Sequence, residues 1–264
     1  MDRPIITLTT DFGLRDPSVG SVKGVILSIH PDVALVDLTH DLPRHAIASA
    51  SYVLKMAATY FPAGSIHLAV VDPGVGSARR PLICSAGGRW YVGPDNGVFA
   101  EVCRGDPSSE CHEIADPRFC LKPPRSSPTF QGRDVFAPAA AWLARGTPPG
   151  AFGPRVTDPV DLDSSQPAGA APRHAASRRG EVIWIDRFGN LISGIAPDTG
   201  VAGFVVSVAG REVPFVTHYA EGPPDAPAAL VNSDGLVEVF VNRGDAAALL
   251  GASIGAPVAL IPLR

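Results

Sequence analysis

The sequence IITLTTDFGLRDPSVGSVKGVILSIHPDVALVDLT, residues Ile5–Thr39, contains the repeating unit from which we predict the fold. Two runs rich in apolar and β-branched residues, Ile5–Thr9 and Ala34–Thr39, are typical of buried strands. Between them, Ser18–Ile29 follows a proline and ends before another, as helices commonly do. Strands that alternate with helices in this way form parallel sheets covered by helices.

The same alternation continues to about residue 150. His45–Phe61 predicts a second helix, Ile66–Asp72 a third buried strand and Asp134–Arg145 a final helix. We therefore predict an α/β domain over residues 1–150, with a largely parallel central sheet.

The remainder of the chain has a different composition. Residues 151–179 are rich in Pro, Gly, Ala and Ser, which predicts a linker. Short apolar runs separated by Gly, Pro, Asn or Asp fill residues 180–264. This pattern predicts a smaller C-terminal antiparallel β-barrel domain.

Composition excludes several classes of protein. The 264 residues are 45% hydrophobic and 18% charged, so the chain is not disordered as a whole. Its 22 basic and 26 acidic residues give a net charge of −4, which argues against a nucleic-acid partner. The longest apolar runs fall far short of the ~20 residues that span a bilayer, and no apolar leader opens the sequence. We expect a cytoplasmic protein that does not enter a membrane.

Cysteine and histidine spacing predicts no metal site. Cys84, Cys103, Cys111 and Cys120 include no C-x-x-C pair, so we expect reduced cysteines that pack as small apolar side chains. Apart from His40 and His45, the histidines lack short metal-ligand spacing.

Acidic residues follow the predicted strands. Asp11, Asp41 and Asp72 each lie just after an apolar run. Because the carboxyl ends of parallel strands meet at one edge of a sheet, we expect these residues to border a common crevice. Such carboxylates accept hydrogen bonds from hydroxyl or amine groups. For Asp11 and the nearby Asp16, capping of the next helix is an equal alternative.

Two further motifs carry chemistry. In DPGVGSARR, Asp72 is followed seven and eight residues later by Arg79 and Arg80, which predicts a carboxylate–guanidinium pair or, alternatively, a purely structural ion pair. IDRFGN is either a plain turn or a purine site in which Asp186, Phe188 and Asn190 supply an anion, a ring and an amide. The sequence lacks a P-loop, a complete G-x-G-x-x-G and a G-x-S-x-G, which argues against nucleotide-phosphate, dinucleotide and serine-hydrolase sites.

Seven motifs follow one another along both predicted domains. In chain order they are TTDFG, Asp16-x-Ser18, VVDPGVGSARR, VGPDNG, TFQGRD, IDRFGN and VNSDG. Together they resemble the S-adenosylmethionine hydroxide adenosyltransferase family, the hydrolytic relatives of fluorinase and chlorinase. The resemblance covers nearly the whole chain. It implies a homotrimer whose active sites lie between the first domain of one subunit and the second domain of its neighbour.

The resemblance also implies roles for individual residues. In the first domain, it assigns the ribose hydroxyls to Asp11 and the methionine end of the substrate to Asp16 and Ser18. Phe130, in TFQGRD, is a further expected substrate contact. In the second domain, the expected contacts are Asp186, Ser233 and Asp234 for the methionine end, and Phe188, Asn190 and backbone atoms of Arg243 for adenine.

Water activation is expected from an Asp–Arg–His triad in this family. Asp72 and Arg79 match its first two members, but the histidine is replaced by Gln131. An amide does not take up a proton at neutral pH, whereas imidazole does. The implied activity is slow hydrolysis of S-adenosylmethionine to adenosine and L-methionine, by displacement at the ribose 5′ carbon without a cofactor.

Two alternatives stay open at this point. The first is synthesis of a 5′-halo-adenosine, although halide-using relatives carry Tyr at the position of Asp72 and a carboxylate repels an anion. The second is a catalytically weak protein that binds adenosine or S-adenosylmethionine, because Gln131 replaces the expected histidine.

Overall fold

The computed structural model describes residues 3–122, 127–162, 178–197 and 200–263. The chain divides into two compact units, Met1–Ser165 and Gln166–Arg264. The first contains a sheet flanked by helices, and the second is almost entirely antiparallel strands. The predicted fold class is therefore confirmed.

The first unit contains a seven-stranded sheet in the order β2-β1-β3-β5-β4-β6-β7. Strands β1, β2, β3 and β5 run parallel to one another, while β4, β6 and β7 pair antiparallel at one side. Its elements are β1 Ile5–Thr10, α1 Ser18–Ile29, β2 Ala34–Thr39, α2 Ile47–Ala58, β3 Ile66–Val70, β4 Pro81–Ala86, β5 Arg89–Pro94, α3 Ala100–Arg104, β6 Glu110–Glu113, α4 Ala137–Ala144 and β7 Arg155–Val156.

Burial explains why the parallel strands are nearly continuous apolar runs. Every residue of β3 is buried, because helices cover both faces of a parallel sheet. Helix α1 buries Val19, Val22 and Ile26, which lie on one face at intervals of three and four residues. None of the helices in the described ranges has the length and apolarity needed to cross a bilayer.

The helices differ in detail from the predicted ones. The second is shorter than His45–Phe61, and His45 precedes it with a positive φ of 65°. The predicted helix Asp134–Arg145 is replaced by a π-helical turn, Gly132–Phe136, that continues into α4. π-turns inside helices are frequent at functional sites.

The last two strands at one side of the sheet have no clear sequence signal. Strand β6 has the polar sequence ECHE, and β7 is only two residues long. Strand β7 pairs with β6, so this part of the predicted linker belongs to the first sheet.

The expectation of reduced cysteines is wrong for one pair. Cys84 and Cys111 form a disulfide, with Cα atoms 4.1 Å apart. They are direct partners on the antiparallel strands β4 and β6. The separation of 27 residues gave no indication of this register, because connectivity cannot be deduced from spacing alone. Cys103 and Cys120 are thiols.

The second unit is a seven-stranded, barrel-like antiparallel sheet in the order β11-β10-β14-β8-β9-β13-β12. A bridge from Phe215 to Ala229, with a hydrogen bond from Val216 N to Ala229 O (2.8 Å), brings its two ends together and nearly closes it. Its elements are β8 Arg179–Ile185, β9 Leu191–Ser193, β10 Phe204–Val208, β11 Arg211–Pro214, β12 Pro227–Val231, β13 Val237–Val241, α5 Ala246–Leu250 and β14 Pro257–Pro262.

Candidate active site

Asp72, Arg79 and Gln131 meet in the first unit, and we call these three residues the Asp72 cluster. Arg79 Nε donates to Asp72 Oδ1 at 2.9 Å, and Arg79 Nη2 donates to both Asp72 Oδ2 and Gln131 Oε1 (2.5 Å to the latter). The guanidinium therefore binds the carboxylate with two parallel hydrogen bonds, the strongest geometry for such a pair.

The local sequence explains how this pair forms. Asp72 follows β3, and a turn over the next residues directs the chain back toward it. Val75 N donates to Asp72 O (3.3 Å), Ser77 N donates to Gly74 O (3.0 Å), and Gly76 has a φ of 81°, which favours glycine. This turn returns Arg79 to the carboxylate.

Arg80, the other candidate partner, points elsewhere. Its Nε donates to Asp95 Oδ2 and its Nη1 to Asp158 Oδ1, both at 2.7 Å. The structure therefore places Arg79 beside Asp72.

The Asp72 cluster is enclosed. The side chains of Asp72 and Arg79 are only 5% and 9% exposed, and Arg79 also lies over the Phe136 ring, 5.2 Å from its centroid. Arg79 Nη1 is buried and has no hydrogen-bond partner within the described residues. Buried polar groups are normally satisfied, so this N–H group is a donor available to a ligand or water.

The VGPDNG motif holds the backbone next to Asp72 in place, a role that was not predicted from the sequence. Asn96 Nδ2 donates to the carbonyl of Val71, the residue before Asp72, at 2.9 Å. The Asn96 side chain also accepts from Val98 N (3.2 Å), so a single amide ties the end of β3 to the turn after β5.

A cavity of about 540 Å³ lies at the carboxyl ends of β1 and β2. Asp11 Oδ2 accepts a hydrogen bond from His45 N at 2.9 Å, whereas Asp16 is exposed. Ser18 begins α1 and does not line the cavity. The lining residues are Asp11, Phe12, Gly13, Arg15, Asp16, His40, Asp41, Leu42, Pro43 and Arg44.

Aromatic contacts connect the Asp11 loop with the residues around Gln131. Phe12 and Phe130 pack edge to face, with ring centroids 5.9 Å apart. A Cβ atom on Gly132 would lie 3.3 Å from Phe12, 3.5 Å from Phe130 and 3.5 Å from Val70. The glycine after Gln131 thus allows the loop after β1 and the end of β3 to approach the π-turn closely.

His40 is a buried member of this crevice whose contacts were not predicted. Its Nδ1 lies 2.8 Å from Thr10 Oγ1. Its Nε2 is 3.0 Å from Asp37 Oδ1, although the angle does not make a hydrogen bond. Burial raises the pKa of Asp37, but the hydrogen bond from Lys23, together with the adjacent His40 ring, lowers it overall. The position at the end of a strand was the only sequence signal.

The second unit contains a separate cavity of about 510 Å³ around the IDRFGN motif. Asp186 Oδ1 accepts from the backbone N–H groups of Phe188 and Asn190, and its Oδ2 accepts from Asn190 Nδ2, all at 2.9 Å. This fixed turn leaves the Phe188 ring 75% exposed. The lining residues are Asp186, Phe188, Asn190, Tyr219, Phe240, Val241, Asn242, Arg243 and Gly244.

A buried carboxylate supports the neighbouring VNSDG loop, which joins β12 to β13. Glu238, only 4% exposed, accepts hydrogen bonds from Tyr219 Oη (2.7 Å) and Asn232 Nδ2 (3.1 Å). Asn232 Oδ1 in turn accepts from Asp234 N at 3.0 Å. Burial, together with the charges of Asp186 and Asp234, raises the pKa of Glu238.

The predicted site residues therefore fall into three groups. Arg79 contacts both Asp72 and Gln131, and Phe130, the residue before Gln131, packs against Phe12. Asp11 and Asp16 border the crevice of the first unit. Asp186, Phe188, Asn190 and Arg243 line the cavity of the second unit, while Ser233 and Asp234 lie in the loop that Asn232 and Glu238 hold.

Comparison with known proteins connects both units to one family. The model of the SAM hydroxide adenosyltransferase N-terminal domain matches residues 6–153, and that of the C-terminal domain matches residues 180–259. The (R)-S-adenosyl-L-methionine hydrolase of Thermus thermophilus is 45% identical over 98% of this chain and 100% of its own length. A fluorinase of Actinopolyspora mzabensis is 27% identical over 93% of each chain.

Solved structures agree with the sequence matches. An uncharacterized conserved protein from Thermotoga maritima superimposes with a TM-score of 0.86 and 30% identity, over 97% of this chain and 100% of that chain. The family models cover most of both units and include the Asp72 cluster and the IDRFGN turn. This chain belongs to the SAM hydroxide adenosyltransferase family.

Proposed function

We propose that this protein hydrolyses S-adenosyl-L-methionine to adenosine and L-methionine. The observation that carries the proposal is the buried Asp72–Arg79 pair beside Gln131, in a chain that is 45% identical to a named hydrolase of this substrate. A carboxylate in an enclosed site supplies a proton acceptor for water.

The reaction is a displacement at the ribose 5′ carbon. The oxygen of water forms a bond to that carbon while the carbon–sulfur bond breaks. The electron pair of the broken bond stays on sulfur and neutralises the sulfonium. Methionine leaves as a neutral thioether, so no general acid is required. The proton lost by water passes to the carboxylate of Asp72.

The other members of the Asp72 cluster position these groups. Arg79 holds the carboxylate through two hydrogen bonds, and its buried Nη1 group, which has no partner among the described residues, is available to bind the attacking water. Gln131 orients the water through its amide while its carbonyl accepts from Arg79. Well-oriented reacting groups lower a barrier by about 7–11 kcal/mol, so positioning supplies much of the acceleration.

Substrate recognition is divided between the two units. In the first, the carboxylate of Asp11 accepts hydrogen bonds from the ribose hydroxyls, and Asp16 and Ser18 bind the methionine end. In the second, Phe188 stacks on adenine. Asn190 donates through Nδ2 to Asp186, which leaves its carbonyl oxygen as the acceptor for the adenine amine. Backbone atoms of Arg243 complete the adenine contacts, and Ser233 and Asp234 reach the methionine end.

The assembly proposed with this function is a homotrimer in which one subunit's first unit faces a neighbour's second unit. Leu14, three residues after Asp11 in the same loop, is 77% exposed, and Phe188 is 75% exposed. Exposed large apolar side chains in the Asp11 loop and in the IDRFGN turn support the proposal that a ligand or a neighbouring subunit covers these two regions. The reaction requires neither a cofactor nor a metal ion, since water and a sulfonium supply all reacting atoms. We place it in the cytoplasm because its substrate is an intracellular metabolite.

Turnover of purified protein tests the proposal. Incubation with S-adenosylmethionine in water enriched in oxygen-18 should yield adenosine that carries the label at its 5′ hydroxyl. Asp72→Asn should lower the rate by about 10²–10⁴-fold, the usual contribution of a general base. Asp158→Asn is the matched control, because Asp158 is an exposed carboxylate paired with Arg80, and its rate should be unchanged.

Other products would identify the alternative activities. A 5′-halo-adenosine formed only with added halide would indicate a halide-using enzyme. Retention of S-adenosylmethionine without any product would indicate a binding protein, with Gln131 as the reason. Either outcome, or full activity of Asp72→Asn, would overturn the proposed hydrolysis.

A further inference from the structure

Three of the four cysteines meet in the first unit, outside the Asp72 cluster. The sulfur atoms of Cys84, Cys103 and Cys111 all lie within 4.8 Å of one another. Cys84 and Cys111, 1% and 3% exposed, face each other on β4 and β6, while Cys103 comes from helix α3. Three separate elements therefore direct one sulfur each to the same point.

A disulfide does not account for this arrangement, because it uses only two of the three sulfurs. Disulfides form in oxidising compartments and are rare in the cytosol, where cysteine groups are more often metal-binding or catalytic. In a reducing environment all three residues are thiols, and three neighbouring thiols form a potential ligand set.

Small ions can reach two of the three cysteines from a neighbouring cavity. A cavity of about 180 Å³ is lined by Cys84 and Cys103, and the carboxylates of Asp95 and Asp161 border it. An entry path of this kind is one requirement of a functional metal site. Strands β4 and β6 are paired in register at this point, so the two strand ligands are held in place before an ion binds.

We propose that Cys84, Cys103 and Cys111, when reduced, bind one soft, thiophilic cation of the Cu(I) type. Thiolates select soft cations, and three sulfur ligands satisfy Cu(I), whereas structural zinc sites have four protein ligands. Binding exchanges thiol protons for the cation, with no change in oxidation state. The disulfide between Cys84 and Cys111 is the oxidised form of the same site. This site is independent of the proposed hydrolytic function.

Cu(I) itself is the probe that tests the site. The full-length protein is reduced completely, freed of reductant without oxygen and titrated with Cu(I) against a coloured Cu(I) chelator. One ion per chain should bind, and Cys103→Ser should weaken its affinity by at least about tenfold. Cys120→Ser is the matched control, because Cys120 is also a thiol of intermediate exposure, and its affinity should be unchanged.

A second measurement on unmutated protein removes the dependence on variant folding. Compared with the reduced protein without the ion, bound Cu(I) should slow alkylation of Cys103, read by peptide mass spectrometry, and leave the alkylation rate of Cys120 unchanged. Three outcomes would overturn the proposal: no Cu(I) bound by the reduced protein, equal affinity in Cys103→Ser, or a disulfide that is reduced only when the protein unfolds.

Discussion

Gln131 is the residue at which this chain departs from the triad that its family resemblance implies. Its carbonyl accepts a hydrogen bond from Arg79 at 2.5 Å, so the side chain is already aligned with the Asp72–Arg79 pair. An imidazole in the same place would lie beside the same guanidinium, whose positive charge favours the neutral ring, and its unprotonated nitrogen would be free to face the water. A neutral imidazole beside the attacking water is a proton acceptor that the amide cannot be.

We therefore expect Gln131→His to raise kcat for adenosine formation by about ten- to hundredfold, within the range of general-base contributions. The rate of this variant should rise with pH as the imidazole loses its proton, and this inflection should be additional to any that the carboxylate of Asp72 gives in the unmutated protein. Steady-state assays from acid to neutral pH measure both effects. Gln131→Ala serves as control and should show neither. A Gln131→His variant no faster than the parent would exclude the triad interpretation of this position.

For single residues, the sequence indicated which side chains belong to the candidate site better than it indicated which atoms they contact. The seven-residue spacing of Asp72 and Arg79 indicated a pair, but it left Arg80 as an equal candidate. Only the turn around Gly76 and the ion pairs of Arg80 with Asp95 and Asp158 separate the two. The contacts of His40 could not be predicted, because its partners Thr10 and Asp37 lie on different strands.

The turn between β8 and β9 depends on one glycine. Gly189 has a φ of 81°, and a Cβ atom there would lie 2.2 Å from the Asp245 carboxylate. Asp245 caps helix α5 by accepting from Ala248 N at 2.7 Å, and the carbonyl of Gly189 accepts from Ala247 N at 2.9 Å. The glycine therefore allows the purine turn and the start of α5 to pack directly on each other.

Gly189→Ala should accordingly destabilise the protein by about 2–4 kcal/mol, through left-handed strain and loss of the α5 cap. Gly210→Ala is the matched control: Gly210 also has a positive φ (73°), but a Cβ there would meet nothing within 4 Å. It should cost only the strain, about 1–2 kcal/mol. Urea unfolding of both variants gives the comparison. Equal losses would show that the contact with Asp245 contributes nothing.

Elements with strong apolar patterns were predictable, and those built by pairing were not. Helix α1 and strand β2 have the predicted bounds because prolines and apolar periodicity mark them. Strand β6 carries the sequence ECHE and exists because β4 and β7 pair with it. The disulfide depends on the pairing of β4 with β6, so it could not be predicted from the sequence either.

The stability of the whole first unit should depend on the protonation of His67. This residue is fully buried in β3, stacks on Tyr91 with ring centroids 5.2 Å apart, and contacts Thr7 Oγ1 at 2.8 Å. Burial lowers the pKa of His67 to about 4 from its ordinary value of 6.5, with a smaller effect from the charge of Arg89. The folded protein thus prefers the neutral ring.

Below pH 6.5 the unfolded chain takes up a proton at His67 that the folded chain does not, so the folded state loses stability until the pH reaches about 4. The loss over this window should be about 3 kcal/mol, at 1.36 kcal/mol per pH unit. His67→Asn keeps a polar side chain near Thr7 but does not titrate. Urea unfolding at several pH values between 7 and 4 measures the free energy of unfolding of both proteins. The stability of the unmutated protein relative to His67→Asn should fall as the pH is lowered. A constant difference would mean that His67 titrates normally in the folded state.

We propose an active site that is shared between subunits of the assembly, and mixed subunits test this proposal. Asp72→Ala removes the proton acceptor from the first unit. Phe188→Ala removes the adenine platform from the second, and its exposed ring makes little contribution to folding. Loss of stacking on a base costs about 1–3 kcal/mol, so Phe188→Ala should be strongly impaired at low substrate concentration. Asp72→Ala should be strongly impaired because it lacks the proton acceptor. If sites form between subunits, a trimer containing both variants joins one intact first unit to one intact second unit.

Co-expression of the two variants with different tags, followed by tandem purification, isolates these mixed trimers. In a closed ring of three, either mixed composition contains a single intact site, so activity should recover to roughly one third of the unmutated value. Trimers that carry both tags on one and the same variant control for effects of purification. If each site instead formed within one chain, every site would carry a defect and no recovery would occur. Recovery therefore requires that the acid of one subunit and the aromatic ring of another act on the same substrate molecule.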